Sequence, residues 1–241
     1  MRNEVVSGKT RLCGIIGDPI EHTMSPVMHN AAFQQMGLDF LYVPFRVKQG
    51  ELAKAIDGVR ALNIRGLNVT IPHKVAVIQF LNGLDPLAEN IGAVNTIVND
   101  DGVLTGYNTD GAGFLQALLE SNIEPKGKNI VILGAGGAAR AIAFFLADRG
   151  ANLVILNRLL EMDWANELAG RISQIFAKEV RALELNRGNL TAVLGKADIL
   201  VNATSVGMTP NIDETPVTAE LLRNTSVEVL LRAVKLKVCS L

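Results

Sequence analysis

Between Asn129 and Arg158 the chain reads NIVILGAGGAARAIAFFLADRGANLVILNR, and this stretch restricts the fold more than any other. Asn129 to Leu133 is a short apolar run rich in β-branched residues. Gly134-Ala135-Gly136-Gly137-Ala138-Ala139 is a glycine turn, Arg140 to Asp148 has a helical pattern, and Ala151 to Leu156 is a second apolar run. Strand, turn, helix and strand within about 30 residues make a βαβ unit. Glycine is needed where the backbone turns tightly and approaches a pyrophosphate, because a Cβ would stand in the way while the free N–H groups of the helix start point at the anion. A glycine cluster alone says little. One that follows a strand and opens a helix has the context that a dinucleotide fingerprint requires. The competing reading is a tight turn with no ligand.

The far end of the unit narrows the ligand. NAD-binding units place Asp or Glu about 20 residues past the first glycine, where it accepts from the ribose 2′-hydroxyl, whereas an Arg there accommodates a 2′-phosphate. This chain has Asn157-Arg158 and no acid at that place. A guanidinium pairs with a phosphate in a bidentate fork and a carboxylate would repel it, so NADP is favoured over NAD. An ordinary surface role for Arg158 stays open.

With 241 residues, 49% of them apolar, the chain is long enough for two α/β lobes, each with its own core. A net charge of -1 and the absence of a long Lys/Arg run argue against nucleic acid and for a small-molecule substrate. Cys13 and Cys239 are far apart, and His22, His29 and His73 make no ligand pattern, so no metal is expected. The first ten residues lack the apolar core of a signal peptide, and the longest apolar helical stretch, Ala141 to Ala147, is too short to span a bilayer. The expectation is a cytoplasmic protein, monomer or homodimer, with no membrane partner.

In the first half, Arg11 to Ile16, Phe40 to Val47 and Gly66 to Thr70 read as strands, and Glu51 to Leu62 as a helix. Ser25 before Pro26 is a helix start, with Gly37 at the exit. Thr23 and Ser25 put two hydroxyls beside that helix N-terminus, which suits a carboxylate; cap and ligand contact are both open for Ser25. Ile71-Pro72-His73-Lys74 leads into a predicted helix through Leu81. A cation in a first helical turn opposes the macrodipole, and such broken local rules gather at functional sites. Lys74 is thus a candidate acid–base group, against the plainer reading of a solvated lysine. Gly92 to Val98 and Val103 to Gly106 read as two strands, followed by a helix to about Ser121 that Asp110 would cap. Asp110 also stands just before the dinucleotide unit, where a cleft between lobes would form. Asn68 and Asn95, at strand ends, carry donor and acceptor together and can read hydroxyl groups. Beyond Arg158 the prediction is a helix from Glu161 to Lys178, strands at Val180 to Leu183 and Ile199 to Asn202, a helix from Gly188 to Leu194, and one more strand at Val227 to Leu231.

Taken in order, HTMSP, GLNVTIPHK, GAVNT, YNTDG, GAGGAAR, NR and NATSVGM give a pattern that resembles the shikimate dehydrogenase family, including its quinate/shikimate relatives, from Gly14 to about Leu222. The resemblance implies an α/β protein with an N-terminal substrate-binding catalytic domain (1–108) and a Rossmann-type, doubly wound NADP-binding domain (109–241). It implies that Thr23 and Ser25 hold the substrate carboxylate, that Asn68, Thr70, Asn95 and Asp110 hold ring hydroxyls, and that Lys74 with Asp110 forms the catalytic pair. Gly134, Ala135, Gly136, Gly137, Ala138, Asn157 and Arg158 would hold NADP, with Thr204 and Met208 near the nicotinamide. The activity implied is reversible, NADP-dependent reduction of 3-dehydroshikimate to shikimate in aromatic amino acid biosynthesis. The alternatives are a quinate/shikimate dehydrogenase using NAD and a non-catalytic nucleotide-binding relative; glutamyl-tRNA reductase shares a similar glycine turn but needs a placed nucleophilic cysteine, for which Cys13 in the first strand is a poor candidate. Three departures stand out. Thr23 replaces a frequent Ser, and Leu159 and Met162 replace a Thr and a second basic residue. After about Asn224 the family's Tyr-x-Pro segment and closing helices are not found, and VEVLLRAVKLKVCSL resembles a frameshifted or truncated end.

Overall fold

The computed structural model of the chain describes residues 6–208, 212–222 and 228–231, and divides into two compact units, Met1–Thr109 and Asp110–Leu241. Of the stretch in which the chain departs from the family pattern, residues 223–227 and 232–241 lie outside the described residues.

The first unit is built on a six-stranded mixed sheet. Its strands are β1 (Arg11–Gly17), β2 (Phe40–Arg46), β3 (Gly66–Val69), β4 (Gly83–Leu84), β5 (Thr96–Asp100) and β6 (Val103–Tyr107), in the order β2-β1-β3-β5-β6-β4. β1 pairs in parallel with β2 and β3, and β5 runs antiparallel to both β3 and β6. Parallel neighbours need crossovers, supplied by α1 (Ser25–Gln35) and α2 (Leu52–Ala61). Strand alternation decides which side chains meet. Ile16, Leu67 and Val69 join the core that α2 covers with Leu52, Ile56 and Val59. Ile15 faces the other way, onto Ile20, Tyr42 and Phe33 of the α1 side.

The second unit is a five-stranded, fully parallel sheet of β7 (Asn129–Leu133), β8 (Asn152–Asn157), β9 (Arg181–Glu184), β10 (Ile199–Asn202) and β11 (Glu228–Leu231), in the order β11-β10-β7-β8-β9. Helices cover both faces, which is why these strands read as unbroken apolar runs instead of alternating ones. Ile130, Ile132, Leu153 and Ile155 pack on α5 (Gly137–Asp148), α6 (Met162–Phe176) and Leu118 of α4 (Asp110–Glu120). Val131, Leu133, Leu156 and Leu200 pack on Leu190, Val193 and Leu194 of α7 (Arg187–Leu194). The fold is the α/β arrangement expected, down to the strand at 228–231. The short α3 (Pro86–Ile91) was not anticipated, although Asp85 caps it by accepting from the Leu87 N–H at 2.9 Å and Gly92 closes it at φ +71.

One element differs in kind. The helix predicted after Lys74 is only a five-residue 3-10 stretch, Ala76–Phe80, with Lys74 ahead of it in a turn. Val75, Val77 and Ile78 are β-branched and poor in helices, and Leu81 leaves in extended backbone toward β4. The dipole argument for Lys74 therefore has no α-helix to rest on.

Candidate active site

In the first unit, the polar candidates cluster on the α1 side of β3 and at the strand ends. Period-two alternation turns Asn68 away from its core neighbours Leu67 and Val69, toward Tyr42 on β2. The Tyr42 hydroxyl donates to Asn68 Oδ1 at 2.6 Å, and Tyr42 is itself clamped by Asn30, whose side chain takes its N–H and gives to its carbonyl, both at 2.8 Å. The His29 ring stacks on Tyr42 at 4.3 Å. Asn68 Nδ2 donates to Thr96 Oγ1 at 3.2 Å, the Thr96 hydroxyl donates to Asn95 Oδ1 at 2.9 Å, and Asn95 Nδ2 donates to Thr109 Oγ1 at 2.8 Å. Burial pushes the Tyr42 phenol well above its ordinary range, against a smaller opposing hydrogen bond with Ser25. The phenol is therefore a donor throughout the physiological range.

Ser25 does not cap α1. The helix begins at Ser25 itself, Met24 occupies the cap position without a side-chain bond, and the Ser25 N–H is met by Thr23 Oγ1 at 3.3 Å. A Ser before Pro usually signals a cap; here the Ser25 hydroxyl is turned to Tyr42 instead. Both hydroxyls thus stand at the start of an eleven-residue helix whose cap residue, Met24, makes no side-chain bond to it.

Thr70 follows β3 and fits against Gly17, where an added Cβ would come within 2.4 Å of Thr70 Cγ2. Its carbonyl accepts from the His73 N–H at 2.9 Å. His73 is fully buried, its Nε2 lying 2.7 Å from the Val47 carbonyl. Next to it, the half-buried Lys74 has its carbonyl bound by the Val94 N–H at 2.8 Å, one residue from Asn95. Ser25, Asn68, Asn95 and the Lys74 backbone are thereby joined in one unit. Sequence reading missed Tyr42, Thr96 and Thr109 as the linking groups; the only signal was a phenol inside the apolar run FLYVPF.

In the second unit the glycine turn leaves β7 at the point where the sheet grows in opposite directions, β8 and β9 on one side and β10 and β11 on the other. This switch point is where open α/β sheets bind ligands. Gly134 has φ +100, and an added Cβ would lie 3.1 Å from the Ala203 carbonyl oxygen and from Thr204 Cγ2. Gly136 is the extended cap of α5, with no side-chain bond to the helix and open space where a Cβ would be. A turn without side chains before an uncapped twelve-residue helix fits a dinucleotide pyrophosphate. Ala135 is buried and Gly137 and Ala138 open the helix. On the β10 side, Thr204 is held by Asn202, whose Oδ1 accepts from the Thr204 N–H at 3.0 Å and hydroxyl at 2.7 Å. Met208 beyond it is exposed. At the end of β8, Asn157 is buried and its amide donates to the Glu161 carbonyl at 2.8 Å, while Arg158 is exposed and paired with Glu161. Asp110 opens α4; Gly111 after it is required by packing, since a Cβ there would meet the Ala141 carbonyl oxygen at 2.6 Å. No group of three or more His, Cys, Asp or Glu that could hold a metal occurs among the described residues.

Comparison with known proteins follows this division. Residues 15–97 match a family model described as the shikimate dehydrogenase substrate binding domain, and residues 117–231 one described as shikimate / quinate 5-dehydrogenase. A relative from Moorella thermoacetica, named shikimate dehydrogenase (NADP(+)), is 48% identical over 219 residues, 90% of this chain and 74% of its own length. One of the same name from Methanocaldococcus jannaschii is 47% identical over 226 residues, 92% of this chain and 78% of its own. Among solved structures, a shikimate dehydrogenase in complex with NADP+ superposes with a TM-score of 0.81 at 45% identity, covering 94% of this chain and 78% of that one. A shikimate 5-dehydrogenase from Listeria monocytogenes, in complex with shikimate and NAD, gives 0.79 at 36% identity, with 95% and 88% covered.

Proposed function

The chain belongs to the shikimate dehydrogenase family, and from that premise we propose that it catalyses the reversible, NADP-dependent reduction of 3-dehydroshikimate to shikimate. The observation that carries this reading is the pinning of Lys74 through its carbonyl to Val94, beside an Asn95 already linked to Asn68 and Thr109. That bond sets the Lys74 main chain beside a row of hydroxyl-reading side chains, and an ammonium carried there is suited to donate a proton to a ring oxygen.

When bound, NADPH supplies the hydride for the keto carbon. What remains falls to the chain's own residues. The Lys74 ammonium gives its proton to the oxygen on which negative charge develops, so its effect is concentrated in the transition state. Asp110, the first residue of α4, is the second member of the proposed catalytic pair. Thr23 and Ser25, at an uncapped helix start, hold the substrate carboxylate. Asn68, Thr70 and Asn95 offer donor and acceptor together to ring hydroxyls. In the second unit Gly134, Ala135, Gly136, Gly137 and Ala138 cradle the pyrophosphate, Asn157 and Arg158 serve the adenosine ribose, and Thr204 and Met208 border the nicotinamide.

The names carried by the relatives favour NADP and shikimate over an NAD-first quinate enzyme or a non-catalytic binder. Among the described residues no helix is long and apolar enough to cross a membrane. We place the enzyme in the cytoplasm, as monomer or homodimer. Initial rates of the purified chain with shikimate or quinate, each with NADP or NAD, test the reading. Shikimate with NADP should give the highest kcat/KM; absence of turnover with any of the four pairs, beside intact NADP binding, would leave only the binding-protein reading. Asp110→Asn combined with Lys74→Ala should be no slower than the slower single variant, as groups acting as a unit are not additive.

A further inference from the structure

Arg158, the group expected to read a 2′-phosphate, is engaged by a neighbour. Its Nη2 donates to Oε1 of Glu161, three residues on, across the single 3-10 turn Leu159–Glu161. This hydrogen bond holds the Arg158 guanidinium above its ordinary pKa. The turn itself is fixed from below, because the buried Asn157 amide donates to the Glu161 backbone carbonyl at 2.8 Å. Three residues therefore interlock: Asn157 sets the position of Glu161, and Glu161 sets the direction of Arg158. Leu159 and Leu160 between them are exposed and carry no charge that would help with a phosphate.

We propose that Glu161 is a cofactor-specificity residue that competes with the ribose 2′-phosphate for Arg158 and so narrows the preference for NADP over NAD. The proposal rests on the reading that the second unit binds NADP through Arg158. A phosphate must displace the carboxylate from the guanidinium, and the displaced carboxylate then remains on a fixed turn as a like charge. A ribose that carries only a 2′-hydroxyl meets no such opposition, and a carboxylate is the group type that accepts from it. Arg158 is exposed (70%) and Glu161 partly buried (23%), so solvent reaching the guanidinium screens the pair and its removal should shift affinity by a few-fold, not by orders of magnitude.

The test is calorimetric titration of the purified chain with adenosine 2′,5′-bisphosphate and with adenosine 5′-phosphate, which differ only by the 2′-phosphate. Glu161→Gln keeps the backbone carbonyl that Asn157 holds, so the turn should persist. It should tighten the bisphosphate about 3–10-fold, the scale of an exposed ion pair plus a relieved like charge, and change the monophosphate less than about 2-fold. In an Arg158→Ala background the same substitution should give a markedly smaller gain. No gain, an equal gain for both ligands, an undiminished gain without Arg158, or the same gain from Asp163→Asn two residues on would each overturn the competition. Failure of the underlying reading looks different: wild type that binds neither ligand removes the nucleotide site, and Arg158→Ala that leaves wild-type bisphosphate affinity intact removes Arg158 from it.

Discussion

The two halves of the candidate machinery are built from opposite materials. On the first unit, recognition depends on side chains that hold one another: Tyr42, Asn68, Thr96, Asn95 and Thr109 form a row of hydrogen bonds of 2.6–3.2 Å. On the second unit the corresponding surface is made by leaving side chains out, with Gly134 at φ +100 and Gly136 ahead of an uncapped helix. A side-chain row can lose one member and keep the rest, so its failures should be graded. A backbone cradle admits a ligand only while no Cβ intrudes, so its failures should be abrupt. The exception on the first unit is Lys74, whose role is a proton and not a contact.

That exception sets the largest expected effect. Lys74→Ala should lower kcat by about 10²- to 10⁴-fold, the usual worth of a positioned general acid, while the KM for shikimate moves only a few-fold. Steady-state rates with calorimetry of NADP as a control decide it. Near-normal turnover would make Lys74 one more graded contact and erase the distinction between proton donor and row.

Gly134→Ala comes next and probes the abrupt side. Alanine at φ +100 is strained, and its methyl would press on the Ala203 carbonyl at 3.1 Å. Strain of about 1–3 kcal/mol placed on the cradle should weaken NADP about 10- to 100-fold. Affinity within two-fold of wild type would show that the turn relaxes and that the cradle is no stricter than the side-chain row. Tyr42→Phe probes the graded side. It removes the 2.6 Å bond to Asn68 but keeps the ring under His29, so kcat/KM for shikimate should fall about 3- to 10-fold with NADP affinity unchanged. An unchanged kcat/KM would mean that Asn68 is positioned without Tyr42.

The same contrast explains what could be read from the chain without coordinates. The backbone cradle was legible because its geometry demands glycine at fixed local spacing between an apolar strand and a helix, all inside Asn129–Arg158. The side-chain row was not. Bonded partners in it are separated by as many as 28 positions, as in Asn68 and Thr96, which become neighbours through the β3–β5 pairing. Individual asparagines at 68 and 95 carried little until the resemblance grouped them. Where local rules were applied alone, two failed for identifiable reasons. Ser25-Pro26 carries a capping signal, yet the helix starts one residue earlier and the hydroxyl goes to Tyr42. The pattern after Lys74 predicts a helix, yet β-branched residues and the pull of Leu81 into extended backbone leave only a 3-10 stretch.

The smallest predicted effect concerns a charged pair that ties α5, the helix after the cradle, to α6. Arg140, in α5 just past the glycine turn, is 3% exposed and donates twice to Glu167 of α6, at 2.9 and 2.8 Å. The Arg140 hydrogen bonds hold the Glu167 carboxyl below its ordinary value of 4.5. A depressed carboxylate pKa contributes stability that is fully present above the unfolded value and is lost as pH falls through the folded one. The Glu167 side chain is 55% exposed, which limits the pair to about 0.5–1 kcal/mol after screening. Glu167→Gln keeps one acceptor for Arg140 and should lower Tm by about 1–4 °C at neutral pH. Because the wild-type carboxylate is itself protonated in acid, the gap between the two proteins should close as pH falls below the ordinary carboxyl value of 4.5 and through the lowered one. NADP affinity should not change, since the paired side chains join α5 to α6, while the Arg140 bond to the turn, its N–H on the Gly136 carbonyl at 3.0 Å, is main chain and survives the substitution. A loss of affinity larger than the loss of stability would show that the cradle depends on a side chain after all, and would remove the sharpest difference between the two units.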